Sequence, residues 1–237
     1  MNKIKAIQLI GNKNSGKTTL AIQLTEIFKQ KGLKVGCIKY THHCLDRIDS
    51  DTDKLSKNAH IVVGISKDSS EIIFAHRKKF LDTISYLDVD ILIIEGGKHE
   101  IDFLPKIVVG NSQEEIDKLR DELTISVYSP SCKEQGTKEE LLKLAQLILD
   151  KGFFLPGINC QMCGENSCRE MGIKILKDQA RPSDCSTLHR GKVKVEIDGK
   201  PMSLNPFLND IISSTIYGLL SPLKGFHKGE IKIKIKG

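Results

Sequence analysis

The run Gly11-Asn12-Lys13-Asn14-Ser15-Gly16-Lys17-Thr18 constrains this chain more than any other eight residues. It follows an apolar stretch of strand length, IKAIQLI at 4–10, and opens a helical pattern from about Lys17 to Lys31, where Gly32 supplies a C-cap. Glycines in such a loop let successive backbone N–H groups converge on an anion, and the helix N-terminus behind them adds positive potential. Lys17 then reaches the outer phosphate oxygens, and Thr18 offers its hydroxyl to magnesium. A loop of this kind needs a carboxylate at the end of a neighbouring strand to hold or order the metal and its waters, and ILIIEGG supplies Glu95. The expected nucleotide contacts are therefore Gly11, Asn14, Ser15, Gly16, Lys17, Thr18 and Thr19. Thr18 and Glu95 are the magnesium residues, and Lys17 and Glu95 the catalytic ones. Asp90 begins the same strand, so it is expected at the opposite edge of the sheet in a structural role. The ligand is GTP or ATP: no [NT]-K-x-D pattern fixes the base, since Ser66-Lys67-Asp68-Ser69 has the wrong order.

Strand and helix signals alternate along the first 152 residues. Strands are expected at 33–39, 89–97, 106–110 and 122–129, two short strands of a hairpin at 61–65 and 71–75, and helices at 77–87, 113–121 and 137–151. That order predicts an α/β P-loop NTPase with a mostly parallel sheet covered on both faces. GFFLPG at 152–157 interrupts the pattern, which sets the expected domains at 1–152, 153–188 and 189–237. The last unit reads as ββαβ, with a hairpin around Asp198-Gly199, a helix at 207–220 and a closing strand at 230–236.

No stretch of eighteen apolar residues occurs and the N-terminus shows no small-residue cleavage site, so the chain reads as cytoplasmic, with no membrane contact. Residues 155–237 hold 13 Lys and Arg against 8 Asp and Glu, so most of the formal net charge of +6 lies there. Its lysines alternate along strands without an aromatic ladder, which points away from nucleic acid and towards a solvated face or an acidic partner.

Four of the seven cysteines crowd into 26 residues as Cys160-x2-Cys163-x4-Cys168-x16-Cys185. In a reducing cell such density means a metal site rather than disulfides, with tetrahedral zinc and a 4Fe-4S cluster as the competing occupants. Met162, Met171, Ile173 and Ile175 are candidates for an apolar shell. The flanks, L-P-G-x-N-C-x-x-C-G-x-x-x-C followed by P-x-D-C, resemble the 4Fe-4S domain of electron-transfer subunits and corrinoid iron-sulfur proteins, which favours the cluster over zinc. Cys37 and Cys132 read as buried or idle thiols; Cys44, beside two histidines, stays open.

After the second strand comes a polar segment, Lys39 to Asp53, at the ligand-binding edge of the expected sheet. Its imidazoles and carboxylates suit a second metal, a γ-phosphate or an acidic substrate. The order G-N-K-N-S-G-K-T-T-L, K-x-T-H-H, E-G-G-K and L-P-K-I resembles the MobB family of molybdopterin-guanine dinucleotide biosynthesis adaptor GTPases over about residues 1–150. Lys39, His42, His43, Asp46 and Asp53 match the family's pattern and stand as the substrate loop. Cys44 replaces an Asp, Ile48 replaces another with Asp49 beside it, Ser56 stands for an Arg, and Gly97 replaces the Phe of E-G-F-K.

The resemblance implies a slow GTPase that binds GTP and Mg2+, forms a homodimer and assists the nucleotidyl transferase attaching GMP to molybdopterin, for a molybdenum or tungsten enzyme. The appended cluster would serve redox or docking. The rival reading is a nucleotide-gated electron-transfer or metal-delivery ATPase for a redox client, with no pterin involved.

Overall fold

The structure is a computed structural model that describes all residues except 1–3, 42–49, 85, 131–136, 189–192, 194, 203–205, 228–230 and 236–237. Five strands form one parallel sheet: β1 (Lys5–Ile10), β2 (Val35–Lys39), β5 (Ile91–Glu95), β6 (Lys106–Val109) and β7 (Thr124–Tyr128), in the order β2-β5-β1-β6-β7. β1 lies at the centre, and Ala6 to Ile10 are all buried, as a strand covered on both faces requires. A separate antiparallel hairpin joins β3 (Ile61–Ile65) to β4 (Ser70–Phe74).

Alternation along the strands sends neighbouring side chains to opposite faces. Ile7, Leu9, Ile91, Ile93, Ile107 and Val109 pack on α1 (Lys17–Gln30) and α5 (Lys138–Lys151), which contribute Leu20, Leu24 and Phe28, and Leu144, Ala145 and Ile148. Thr137 and Glu140 close a capping box at the start of α5. Ala6, Leu92 and Ile94 face the other way, and the cysteine-bearing unit covers them. Phe153, Phe154 and Leu155 are nearly inaccessible and share this second core with Phe103, Cys168, Met171, Ile175, Cys185 and Leu188. Burying each of those two phenylalanines is worth about 2 kcal/mol or more, so the 153–155 segment anchors the cysteine unit to the sheet. α6 (Cys168–Leu176) and a 3-10 turn at Pro182–Asp184 complete that unit.

Three details depart from expectation. The helix expected at 77–87 is only α3 (Phe80–Ile84), whose Phe80, Leu81 and Ile84 pack on the second core. A short α2 (Asp51–Ser56) stands in the polar segment, capped by Ser50, whose hydroxyl accepts the Asp53 N–H at 3.1 Å. Among the described residues, 231–235 are not in strand form, and Ile235 is 87% exposed. Alternation alone does not make a strand, which needs pairing along a sheet edge. The rest of the C-terminal unit is as expected, with β8 (Val195–Ile197) and β9 (Lys200–Met202) joined through Asp198 and Gly199 at φ 51° and 72°, then α7 (Pro206–Leu220). α4 (Gln113–Leu119) links β6 to β7.

Candidate functional site

The loop between β1 and α1 is built for close backbone approach. A Cβ on Gly11 would stand 2.1 Å from the Val109 carbonyl oxygen, and Gly16 caps α1 at φ +89°. Asn14 adopts φ 61°, so the chain turns through two left-handed residues in three positions and leaves residues 12–14 at the surface above a buried Ser15. The Lys17 ammonium folds back on this loop, donating to the carbonyls of Gly11 at 3.1 Å and Asn12 at 2.5 Å and to Ser15 Oγ at 3.3 Å. Burial lowers its pKa from the ordinary lysine value; the Glu95 charge works against this and the Lys39 charge adds to it. Thr19 is exposed on the first turn of α1.

Parallel register sets the carboxylate in place. Glu95 ends β5 beside Leu9 of β1 and Lys39 of β2. The Thr18 hydroxyl donates to Glu95 Oε1 at 2.8 Å, and Lys39 Nζ lies 3.4 Å from the same oxygen and 3.5 Å from Thr18 Oγ1. Thr18 and Glu95, predicted together as magnesium residues, do meet. Their oxygens are the hard donors that Mg2+ prefers, so the residues fit that ion. Lys39, expected in a substrate loop, stands in this corner instead. Asp90 sits at the far edge, accepting the Lys34 N–H at 2.9 Å, as its structural role requires.

Behind Glu95, Gly96 and Gly97 take φ 82° and 70°, and Tyr40 packs against them. A Cβ on Gly97 would lie 2.7 Å from the Tyr40 ring. Burial, with the Glu100 charge, raises the Tyr40 phenol pKa above its ordinary value, against the opposing effect of Arg77, which is paired with Glu100. The buried Gln8 side chain donates to the Gly96 carbonyl at 2.8 Å, tying the glycine pair to the central strand. Sequence reasoning missed both Gln8 and Tyr40; the one signal was a lone amide inside IKAIQLI.

Of the substrate-loop residues, His42, His43 and Asp46 lie outside the described residues, as do Cys44 and Cys132. Asp53 belongs to α2 and pairs with Lys57 at 3.2 Å. The Ser66–Ser69 tetrad is the β3–β4 turn, with Ser66 Oγ donating to the Ser69 carbonyl at 3.0 Å. Cys37 is exposed on β2, not buried, with Thr25 Oγ1 3.6 Å from its sulfur.

The four cysteines form a second site. Asn159, Gln161 and Gly164 have φ 47°, 60° and 87°, so the chain curls around Cys160 and Cys163. The Asn159 side chain accepts the Cys168 N–H at 2.7 Å, fixing the start of α6. Burial raises the Cys168 thiol pKa, and N–H groups of Asn159 and Gly157 oppose it; Cys160 and Cys163 are near enough to raise it further. Cys185 is likewise raised by burial, opposed by the N–H groups of Leu188 and Thr187, and raised by Cys168 and Cys163. Backbone N–H groups near each buried sulfur favour its charged form, so this four-cysteine donor set fits a thiolate-ligated centre. Among the described residues, no three His, Cys, Asp or Glu side chains close round one ion. Cys160 is exposed and Cys163 partly so. Met171 and Ile175 line the buried side, whereas Met162, expected in the apolar shell, is 40% exposed.

A parallel sheet with a glycine-bounded loop, its lysine and a carboxylate on the adjacent strand define a P-loop nucleotide-binding protein. The family described as "Molybdopterin guanine dinucleotide synthesis protein B" (MobB) matches residues 6–129, and one described as "Putative Fe-S cluster" matches residues 155–186. The chain belongs to the MobB family. It is 32% identical to the "Putative molybdopterin-guanine dinucleotide biosynthesis adapter protein" of Methanocaldococcus jannaschii, over 98% of this chain and 97% of that one. A "Probable molybdopterin-guanine dinucleotide biosynthesis adapter protein" of Bacillus subtilis is 26% identical, covering 48% of this chain and 69% of its own length. The crystal structure of Bacillus subtilis MobB aligns over 60% of this chain and 97% of its own, with a TM-score of 0.48 and 20% identity.

Proposed function

We propose that this chain is a cytoplasmic, GTP-binding and weakly GTP-hydrolysing adaptor in the synthesis of the molybdopterin guanine dinucleotide cofactor, acting with the transferase that joins GMP to molybdopterin. The observation that carries the reading is the Thr18–Glu95 contact beside Lys17, which brings together the residues for phosphate and magnesium, on a chain 32% identical over nearly its whole length to a relative bearing that name. GTP would lie along residues Gly11 to Thr19, where Thr18 would hold Mg2+ and Glu95 would order the metal's waters. Magnesium would supply charge neutralisation at the phosphates. His42, His43, Asp46 and Asp53 would face the substrate, with Lys39 at the magnesium corner beside them.

Cys160, Cys163, Cys168 and Cys185 would hold a 4Fe-4S cluster, supported by the family match over 155–186 and by nearby backbone N–H groups that favour the charged form of the two buried sulfurs. The cluster would serve redox exchange or docking of a molybdenum, tungsten or other redox client. A homodimer is supported by the β3–β4 hairpin, where Ile61, Val63, Ile65 and Ile72 share one face and are each more than half exposed.

Equilibrium titration of the anaerobically purified chain with GTP·Mg2+ and with molybdopterin tests the function. Saturable binding of both is expected; GTP binding without pterin binding would return the weight to a nucleotide-gated electron-transfer protein.

A further inference from the structure

Lys39 occupies a position that phosphate binding alone does not require. β2 presents alternate residues to opposite faces: Ile38 packs into the core shared with the cysteine unit, while Cys37 and Lys39 face α1. The Lys39 backbone is held by the parallel register with Glu95, and the next residue, Tyr40, donates its N–H to the Glu95 carbonyl at 2.9 Å. The side chain thus has little choice of neighbour. Its ammonium stands 3.4 Å from Glu95 Oε1 and 3.5 Å from Thr18 Oγ1, against a Glu95 side chain only 14% exposed.

Those two oxygens are the protein's hard donors in this corner, already joined to each other by the Thr18 hydroxyl proton. A magnesium ion ligated by Thr18 would stand about 2.1 Å from its oxygen. A divalent ion there and an ammonium 3.5 Å from the same oxygen would repel each other strongly, with one partly buried carboxylate between them. Lys17 adds a second ammonium that already senses both Glu95 and Lys39.

We propose that Lys39 is an internal counter-cation that competes with magnesium for the oxygens of Glu95 and Thr18 and is displaced when the metal loads. The proposal rests on the nucleotide reading above and deepens it. Lys39 then works against metal uptake. Its charge neutralises Glu95 beside Thr18, and its half-exposed side chain must swing out before Mg2+ binds. The residue sets how tightly the loaded site holds its metal, independently of any contact to a γ-phosphate.

The test is Mn2+ binding, read by electron paramagnetic resonance, to the full-length chain saturated with GDP. GDP lacks the γ-phosphate, so a lysine that merely touched that group would be silent. Lys39→Met is expected to tighten Mn2+ binding roughly fivefold or more, the scale of a modest coupling between competing ligands. Lys39→Arg, which keeps the cation, should stay near the unaltered chain. Unchanged or weaker Mn2+ binding in Lys39→Met, with GDP still bound, would overturn the proposal and leave the nucleotide reading standing. Failure of the unaltered chain to take up GDP with Mn2+ would remove both.

Discussion

Arg169 on the cysteine-bearing helix donates to Asp121, just before β7, at 3.1 Å, and the same carboxylate oxygen takes Lys106 Nζ at 2.9 Å. Arg169 also reaches Glu122 at 2.7 Å. Lys106 lies on β6 with its side chain 5% exposed, so this carboxylate ties the sheet interior to the unit that holds the cysteines.

Asp121→Asn leaves the buried Lys106 ammonium without its charge partner and is expected to cost about 2 kcal/mol of unfolding free energy at neutral pH. Burial raises the Asp121 pKa, but the Lys106 contact, the Leu123 N–H and Arg169 outweigh it and hold it below the ordinary value. A folded pKa below the unfolded one stabilises the chain above the unfolded value, and that stabilisation is lost as pH falls through the folded value. The gap between the two proteins in urea unfolding should therefore be full at pH 7 and close on acidification below the ordinary carboxylate range.

Lys17→Ala removes the ammonium from the loop and should weaken GTP binding by roughly 10- to 100-fold, the loss of one contact to a charged group. Glu95→Gln keeps the size of the side chain and removes its charge. It should leave nucleotide binding within a few-fold and cut hydrolysis by about a hundredfold, if ordering the metal's waters is its role. Fluorescent-nucleotide titration and single-turnover phosphate release measure the two separately.

Gly97→Phe restores the residue expected from the family pattern, yet is predicted to destabilise this chain. The position has φ +70° and the new Cβ would meet the Tyr40 ring at 2.7 Å. The backbone part costs about 1–2 kcal/mol. Adding Tyr40→Ala should recover the steric part but not the backbone part, which thermal unfolding of the single and double variants resolves. Tyr40 and Gly97 are paired in space: the ring fills the room above a residue with no side chain.

The four cysteines should separate into two classes. Cys168→Ala and Cys185→Ala each remove a sulfur that is under one-tenth exposed and packed in the sheet's second core, so they should lower Tm as well as iron content. Cys160→Ala removes an exposed sulfur and should lower iron content with little change in the Tm of the metal-free chain. The unaltered chain, purified anaerobically, should carry about four irons and four sulfides with a broad absorption band near 400 nm. One zinc and no sulfide would make the unit a structural module.

The parallel sheet and the phosphate loop were legible because each local signal agreed with the next: IKAIQLI, the glycine-bounded loop, a helix with Leu20, Leu24 and Phe28 on one face, and Glu95 at a strand end. Strand order was not legible, since nothing local to ILIIEGG states that β5 lies between β1 and β2. That order is what sets Lys39 beside Glu95. GFFLPG reads as a break because Gly and Pro punctuate it, and its three apolar residues prove to fill the core beneath the cysteines. EIKIKIK alternates like a strand, but strand formation depends on a partner edge that no stretch of sequence reveals by itself.

The most direct test of the central claim is reconstitution: the rate at which a purified nucleotidyl transferase converts molybdopterin and GTP to the guanine dinucleotide, with and without this chain and its Lys17→Ala variant. The account predicts acceleration by the unaltered chain and little or none by the variant. Equal rates in all three reactions, with GTP bound to the unaltered chain, would contradict it.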